Sequence, residues 1–191
     1  HFTYLRGLAK LLSQSGRYMP RWVRIFNATV WIEPSRDYIK FMFRGRPRIL
    51  SRAEIADALG VDLNDTRLHE LDYAGAIPPR HARCGGVLPP FEMVSICYRQ
   101  PFLPESSRAP TRLTTEAQVV HIALRRSLLP RMGGGEAVTS IQQWLLLHIL
   151  SHTPFDIVDF LLCEVEESIA DGVKAGRQQP YTHIISYLLD R

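Results

Sequence analysis

The chain has 191 residues, 46% of them hydrophobic and 22% charged, and this composition excludes a wholly disordered protein. Its three cysteines are odd in number and widely spaced, so we expect no disulfide framework and an intracellular location, in the nucleus or cytoplasm. The net charge of +4 is uneven, because residues 1–50 hold ten of the 23 basic side chains and only two of the 19 acidic ones. No signal peptide or membrane span is visible. Because the first residue is His1 rather than Met, we expect a fragment of a longer chain.

The first 60 residues predict helices and a small sheet. The predicted elements are helices over 2–13 and 21–28, a small β-hairpin or three-stranded patch near 29–50, and a capped helix over 51–60. Ser51 and Glu54 fit a capping box, and Gly60 supplies the left-handed residue that ends this last helix.

The middle of the chain gives weaker signals. Gly60 and the polar segment Asn64–Asp72 resemble the second half of a helix-turn-helix. However, Thr66 stands where that motif needs an apolar residue, and the acidic residues of the segment repel DNA phosphates. We therefore do not expect this segment to read DNA. Residues 76–90 are mostly loop, and Pro90–Tyr98 favours a helix with proline in its first turn.

The C-terminal part predicts four helices. They are a helix capped by Thr114 or Thr115 and running to Leu129, an apolar helix over about 136–152, a helix beginning with Thr153-Pro-Phe-Asp156, and a last helix opened by Pro180. The second of these includes the segment Ile141–His152, which is apolar nearly all round and too short to span a bilayer. Such a helix must be surrounded by other elements.

These elements predict a mainly α fold. We expect a multi-helix globular bundle of about eight helices around the central apolar helix at 136–152, with a small β-hairpin near 29–50. We expect residues 1–191 to form a single domain. Its sub-lobes would be 1–100, with helices and hairpin, and 113–191, with four helices, joined by a proline-rich loop at 101–112.

The order of features resembles a protein domain encoded by plant transposons and retrotransposons of grass genomes. The segments that carry the resemblance are Trp22–Ala28, Phe43–Gly45, Ile55–Val61, Leu113–Ala117, Leu128–Pro130 and Pro180–Ile185. Thr115 and Thr182 stand where the family has proline. The resemblance spans nearly the whole chain and implies a mainly helical protein derived from a plant mobile element. It carries no catalytic residue across.

Basic residues of the first quarter form a candidate surface for nucleic acid or for an acidic partner. We name it the arginine patch, and its members are Arg17, Arg21, Arg24, Arg44, Arg46 and Arg48. Tyr38, Phe41 and Phe43 interleave with Lys40 and Arg44, and exposed aromatic rings stack on bases. Strand alternation instead places Phe41 and Phe43 together, which is typical of a buried face. Both interpretations stay open.

Acidic residues of the helix that follows Thr153 form a second candidate surface, the acidic face. Its members are Asp156, Asp159, Glu164, Glu166, Glu167 and Asp171. His148 and His152 have the spacing of zinc ligands on a helix, and His81 and Cys84 have ligand-like spacing too, but neither pair has an obvious further ligand. The glycines at 133–135 lack the lysine and Ser/Thr of a phosphate-binding loop. We therefore expect no metal, no cofactor and no catalytic residue.

The leading hypothesis is a non-enzymatic protein-interaction module that binds another protein or self-associates through its acidic and basic surfaces. The alternative is nucleic-acid binding through the arginine patch. We expect no membrane partner and no small-molecule substrate.

Overall fold

The computed structural model describes residues 19–61, 63, 95–101, 108–126, 129, 137–152, 156–175 and 182–190. The chain divides into two compact units. One combines residues up to 65 with residues from 156 onward, and the other comprises residues 66–155. The described residues are mainly helical, with six α-helices and one small sheet.

Among its described residues, the first unit contains a three-stranded antiparallel sheet and four helices. In chain order these are α1 (Pro20–Thr29), β1 (Trp31–Ile32), β2 (Tyr38–Phe43), β3 (Arg46–Ser51), α2 (Arg52–Leu59), α5 (Ile157–Ala175) and α6 (Thr182–Asp190). The sheet order is β1-β2-β3, which confirms the small sheet predicted near 29–50. Helix α1 confirms the helix predicted over 21–28, and the segments 2–13 and 64–72 lie outside the described residues.

The sheet buries one face against α1. Strand β2 alternates, so that Ile39, Phe41 and Phe43 are buried while Lys40 between them is exposed. The rings of Phe26 on α1 and Phe41 lie 4.9 Å apart between centroids, a typical aromatic contact. The period-2 pattern therefore builds the core of this unit, as strand alternation predicts.

Helix α2 begins and ends as predicted. The Ser51 hydroxyl accepts a hydrogen bond from the Glu54 amide at 3.2 Å, and the Glu54 carboxylate accepts one from the Ser51 amide at 2.7 Å. Gly60 takes the left-handed conformation, with φ at 69°. The capping box and the C-cap glycine are both confirmed.

Helices α5 and α6 belong to the same unit as the sheet, and this differs from the predicted sub-lobe 113–191. The Met19 amide donates a hydrogen bond to the Ser186 hydroxyl at 3.2 Å, and the Tyr187 hydroxyl donates one to the Ala58 carbonyl at 3.1 Å. The apolar residues Ile184 and Ile185 of α6 are buried. Helix α6 thus packs against segments of the first 60 residues, a pairing between distant segments that local patterns do not reveal.

The start of α5 also differs from its prediction. The helix begins at Ile157, and Asp156 caps it, because the Asp156 Oδ1 accepts a hydrogen bond from the Asp159 amide at 2.9 Å. Thr153 lies outside the described residues.

The second unit contains α3 (Thr115–Arg126), α4 (Ser140–Leu150), and short 3₁₀ turns at Ser95–Cys97 and Pro110–Arg112. Thr114 caps α3, since its hydroxyl accepts from the Ala117 amide at 3.2 Å. In place of the end of the helix predicted over 90–98, the chain forms the turn at Ser95–Cys97, and Tyr98 then forms a β-bridge with Leu113.

Helix α4 is buried all round, as its composition predicts. Every residue from Ile141 to Ile149 is buried. The helix begins at Ser140 rather than near 136, because Thr139 and Gln142 form a capping box that sequence analysis overlooked. Two of its polar residues have partners inside the unit: the Gln143 amide donates a hydrogen bond to the Tyr98 hydroxyl at 2.9 Å, and Gln142 Oε1 lies 3.3 Å from His121 Nε2.

Candidate nucleic-acid interface

The arginine patch lies on helix α1, on the hairpin tip and on the edge strand β3. Arg21 and Arg24 are exposed on α1, three residues apart and hence on one side of the helix. Arg44 is exposed at the tip, and Arg46 and Arg48 are exposed on β3. Arg17, the remaining member of the patch, lies outside the described residues.

An aromatic pair connects the arginines of α1 with those of the hairpin. The ring of Trp22 meets the ring of Phe43 edge-on, with centroids 5.2 Å apart. The Arg21 guanidinium lies 5.4 Å from the Trp22 centroid, and the Arg44 guanidinium lies 5.0 Å from the Phe43 centroid. Both arginines therefore sit on one packed aromatic cluster, and cation–π attraction limits where their charges lie.

The hairpin tip holds Arg44 in a left-handed backbone conformation. Its φ is 52°, and that of Gly45 is 75°. Two central residues with positive φ form a type I′ turn, which prefers Asn, Asp or Gly at both positions. The left-handed conformation costs an ordinary residue about 1–2 kcal/mol. Turn chemistry therefore does not explain an arginine at this position.

Two other arginines of the same unit pair with carboxylates of α5. Arg36 Nη1 lies 3.3 Å from Asp159 Oδ1, and its Nη2 lies 3.5 Å from Glu166 Oε2. Arg52 Nη2 contacts the Asp156 carboxylate, and Arg52 Nη1 lies 3.9 Å from Asp159 Oδ1. Burial lowers the pKa of Arg36, but nearby negative groups, chiefly Asp159, outweigh this effect and raise the pKa above its ordinary value.

The five described members of the arginine patch differ from Arg36 and Arg52. None of the five forms an ion pair with a carboxylate of the described residues. Their charges are exposed and have no carboxylate partner within the described part of the chain, whereas Arg36 and Arg52 are neutralised. The unit therefore presents a local excess of positive charge to solvent.

The aromatic residues proposed for base stacking need a correction. Phe41 and Phe43 are only 5% and 9% exposed, since both point toward α1, and they are not accessible to bases. Tyr38 lies on the opposite face and is half-buried. Sequence analysis missed Trp31, which is 47% exposed on β1. Strand alternation could have indicated it, because the pattern that places Phe41 on the buried face places Lys40 and its neighbours on the other face of the sheet.

That other face is a second surface, which we name the open face and define as Trp31, Tyr38, Lys40 and Ile49. In the register, Lys40 pairs with Trp31 on one side and with Ile49 on the other, so the three side chains line up across the sheet. Lys40 Nζ lies 5.3 Å from the Trp31 ring centroid and 5.2 Å from that of Tyr38. Ile49 is 59% exposed.

The acidic face is not the continuous outer surface expected from the sequence. Asp156 and Glu164 are buried, at 2% and 9% exposure, and Asp159 and Glu166 pair with Arg36. Asp156 is buried because it both caps α5 and pairs with Arg52 on α2. For the last two members of the face, the side chains lie outside the described residues.

The histidine pair does not form the helical site that its spacing suggests. Helix α4 ends at Leu150, and His152 lies beyond it with φ at 54°, so it does not continue the helical face of His148. His148 is buried and stacks on Trp144, with centroids 6.4 Å apart. Within the described residues, no three His, Cys, Asp or Glu side chains group in a way that could hold a metal ion. His81 and Cys84 lie outside those residues.

The described cysteines differ in their surroundings. Cys97 is fully buried, and desolvation raises the pKa of its thiol to about 12. Burial likewise raises the pKa of the neighbouring Tyr98 to about 12. Cys163 on α5 is half-buried.

Among the described residues, none of the helices has the length and apolar content that crossing a membrane requires. Comparisons of the chain with protein-family models, with curated proteins and with solved structures return no match.

Proposed function

We propose that this chain is a non-enzymatic binding module whose arginine patch binds nucleic acid. The observation that carries the proposal is the separation of charges in the first unit. Arg36 and Arg52 are neutralised by carboxylates of α5, whereas the five exposed arginines have no such partner among the described residues. Phosphate groups of a nucleic acid would supply the missing anions.

The geometry favours this alternative over the hypothesis of electrostatic self-association. That hypothesis needs an accessible acidic face, yet two of its members are buried and two more are paired within the unit. Arg44 supports the same choice, because an arginine at positive φ costs folding free energy that a binding role would offset.

Protein binding remains a second candidate, at a different place. Val119 and Ile122 of α3 are 64% and 49% exposed, and they lie three residues apart on one side of the helix. Exposed large apolar residues that are neighbours on a helix suit a protein partner.

The test of nucleic-acid binding is a fluorescence-anisotropy titration with labelled single- and double-stranded oligonucleotides, at low and at physiological salt. We expect dissociation constants of about 10⁻⁶ to 10⁻⁴ M that rise steeply with salt. Replacing Arg44, Arg46 and Arg48 together by alanine should weaken binding. It should also reduce the slope of log K against log salt by about 2 to 3, since each phosphate contact contributes about 0.7 to 0.9.

A matched control removes the same charge elsewhere. Arg108, Arg125 and Arg126 of the second unit also form no ion pair with described carboxylates. Replacing these three by alanine removes three positive charges, so the control has the same net charge as the variant at Arg44, Arg46 and Arg48. If both variants weaken oligonucleotide binding equally, the effect reflects the net charge of the chain and not the arginine patch. No binding by the native chain at low salt would end the proposal and leave Val119 and Ile122 as the surface to test, by capture of a protein partner.

The remaining proposals concern origin, location and architecture. We propose a plant mobile-element origin on the motifs that resemble that family, to be tested by sequencing the genomic locus for flanking element repeats. We propose an intracellular location because the cysteines suit a reducing compartment. We also propose that the chain is one domain arranged around α4; unfolding of both units in a single cooperative transition would support this, and two separate transitions would contradict it.

A further inference from the structure

We infer that the open face is a stacking platform for unpaired bases, so that the nucleic acid bound by this chain is single-stranded. This inference rests on the proposed function and adds to it the kind of strand. It uses a surface that the arginine patch does not include. The two surfaces make different demands, because arginines bind phosphates of any strand whereas exposed rings need exposed base faces.

The open face exposes large apolar side chains that contact with nucleic-acid bases would remove from water. Trp31 and Ile49 are 47% and 59% exposed and lie in one line across the sheet with Lys40 between them. The Trp31 and Tyr38 rings lie 5.9 Å apart at an angle of 48°, so a flat ligand would lie on one ring and contact the edge of the other. Lys40 contributes a cation beside both rings, where the phosphate of a stacked nucleotide would pass.

The edge strand connects this platform to the arginine patch. Successive side chains of β3 point to opposite faces, so Ile49 belongs to the open face while Arg46 and Arg48 point to the side of α1. Arg48 and Ile49 are adjacent in sequence. A single strand of nucleic acid lying along β3 would place its phosphates toward the arginines and its bases over Trp31 and Ile49.

The charge of this region selects the occupant. The exposed side chains of the hairpin tip, β3 and the open face include Lys40, Arg44, Arg46 and Arg48, and all four are cationic. An apolar protein segment would bury Trp31 and Ile49 but would leave these cations without partners. A duplex would satisfy the cations but could not stack on Trp31, because its base faces already stack on each other. Single-stranded nucleic acid satisfies both groups.

The experiment measures the affinity of the full chain, at fixed low salt, for two labelled ligands. One is a 20-nucleotide oligo(dT), and the other is the duplex that this oligo(dT) forms with oligo(dA). The variants are Trp31→Ala and Trp31→Phe, and Val119→Ala is the control because Val119 is an exposed apolar residue of the other unit. Stacking on one base amounts to a factor of about 5 to 150 in affinity. We expect Trp31→Ala to lose that factor for oligo(dT) with little change for the duplex, Trp31→Phe to retain most of it, and Val119→Ala to bind like the native chain.

Intrinsic fluorescence gives a second readout that does not depend on the alanine variant folding. Oligo(dT) should quench the tryptophan emission of the native chain and should quench that of Trp31→Phe much less, because Trp22 is half-buried and Trp144 is buried. Equal, arginine-dependent binding of single strand and duplex, unaffected at Trp31, would overturn the stacking platform and leave the proposed function standing. Absence of binding to either oligonucleotide would overturn both. Binding of a protein that requires Trp31, without any oligonucleotide binding, would identify the open face as a protein-docking surface instead.

Discussion

The ion pair between Arg52 and Asp156 offers the sharpest test of how the first unit is held together. Arg52 is the first residue of α2, and Asp156 caps α5. The Asp156 side chain is 3% exposed and that of Arg52 is 15% exposed. Replacing Arg52 by leucine keeps an apolar stem but leaves a buried carboxylate without its nearest cation.

The magnitude follows from the burial of both partners. Removing one member of a buried ion pair costs about 3–5 kcal/mol, because the other charge stays desolvated. Asp156 keeps its hydrogen bond from the Asp159 amide and its place at a helix N-terminus, which recovers about 1–2 kcal/mol. We therefore expect Arg52→Leu to lower the free energy of unfolding by about 1–4 kcal/mol. In a chain of this size each kcal/mol lowers the Tm by about 2–4 °C, for a total of about 2–16 °C.

The assay is a urea titration followed by far-UV circular dichroism, with Arg36→Leu as the control. The Arg36 side chain is 29% exposed and its partners are 18% and 45% exposed, so its loss should cost less than about 1 kcal/mol. Asp156→Asn keeps the cap acceptor without the charge, and combining it with Arg52→Leu completes a double-mutant cycle. Equal losses for Arg52→Leu and Arg36→Leu, or a coupling energy near zero, would refute the reasoning.

Three further predictions concern single side chains. Arg44→Asn should raise the free energy of unfolding by a few tenths of a kcal/mol. Asparagine tolerates the left-handed backbone better by about 1 kcal/mol, which exceeds the about 0.5 kcal/mol lost with the contact to the Phe43 ring. The variant should also bind oligonucleotides more weakly, and a lower Tm than that of the native chain would contradict the prediction. The backbone and side chain of Ser51 hold the pKa of Glu54 below its ordinary 4.5, so this carboxylate stabilises α2 above that pH and the contribution disappears as pH falls; urea titrations of Glu54→Gln should show a weaker acid dependence. Iodoacetamide at about pH 8 should label Cys163 before Cys97, whose pKa is about 12, and mass spectrometry showing equal labelling would contradict the assigned burial.

Local elements were predictable where short-range chemistry decides them. The capping box of Ser51 and Glu54, the C-cap at Gly60 and the shared sheet face of Phe41 and Phe43 all follow from spacing within a few residues. The cap of α4 uses the same chemistry, with Gln in place of Glu. The apolar run alone predicts a start near 136, whereas the capping box of Thr139 and Gln142 places the start at Ser140.

The candidate site was predictable only in part. The arginine patch is exposed as expected at its five described positions, but Phe41 and Phe43, two of the three aromatic residues associated with it, face the core. The sequence shows which residues alternate, and it does not show which face another helix covers. The acidic face failed for the same reason, since helical periodicity cannot reveal that Arg36 and Arg52 reach Asp156 and Asp159 across more than a hundred residues.

The union of both chain ends in one unit has a consequence for synthesis. Arg36 meets Asp159 across 123 residues, and Met19 meets Ser186 across 167. Closing a loop of that length costs about 4 kcal/mol in chain entropy beyond a constant, and contacts this distant slow folding. The sheet and α1 leave the ribosome before the carboxylates of α5 are made, so Arg36 and Arg52 wait for these partners while more than a hundred further residues are added. Until α5 emerges, the growing first unit therefore displays more basic charge than the folded unit does, and the unit is completed only when α5 and α6 have been made.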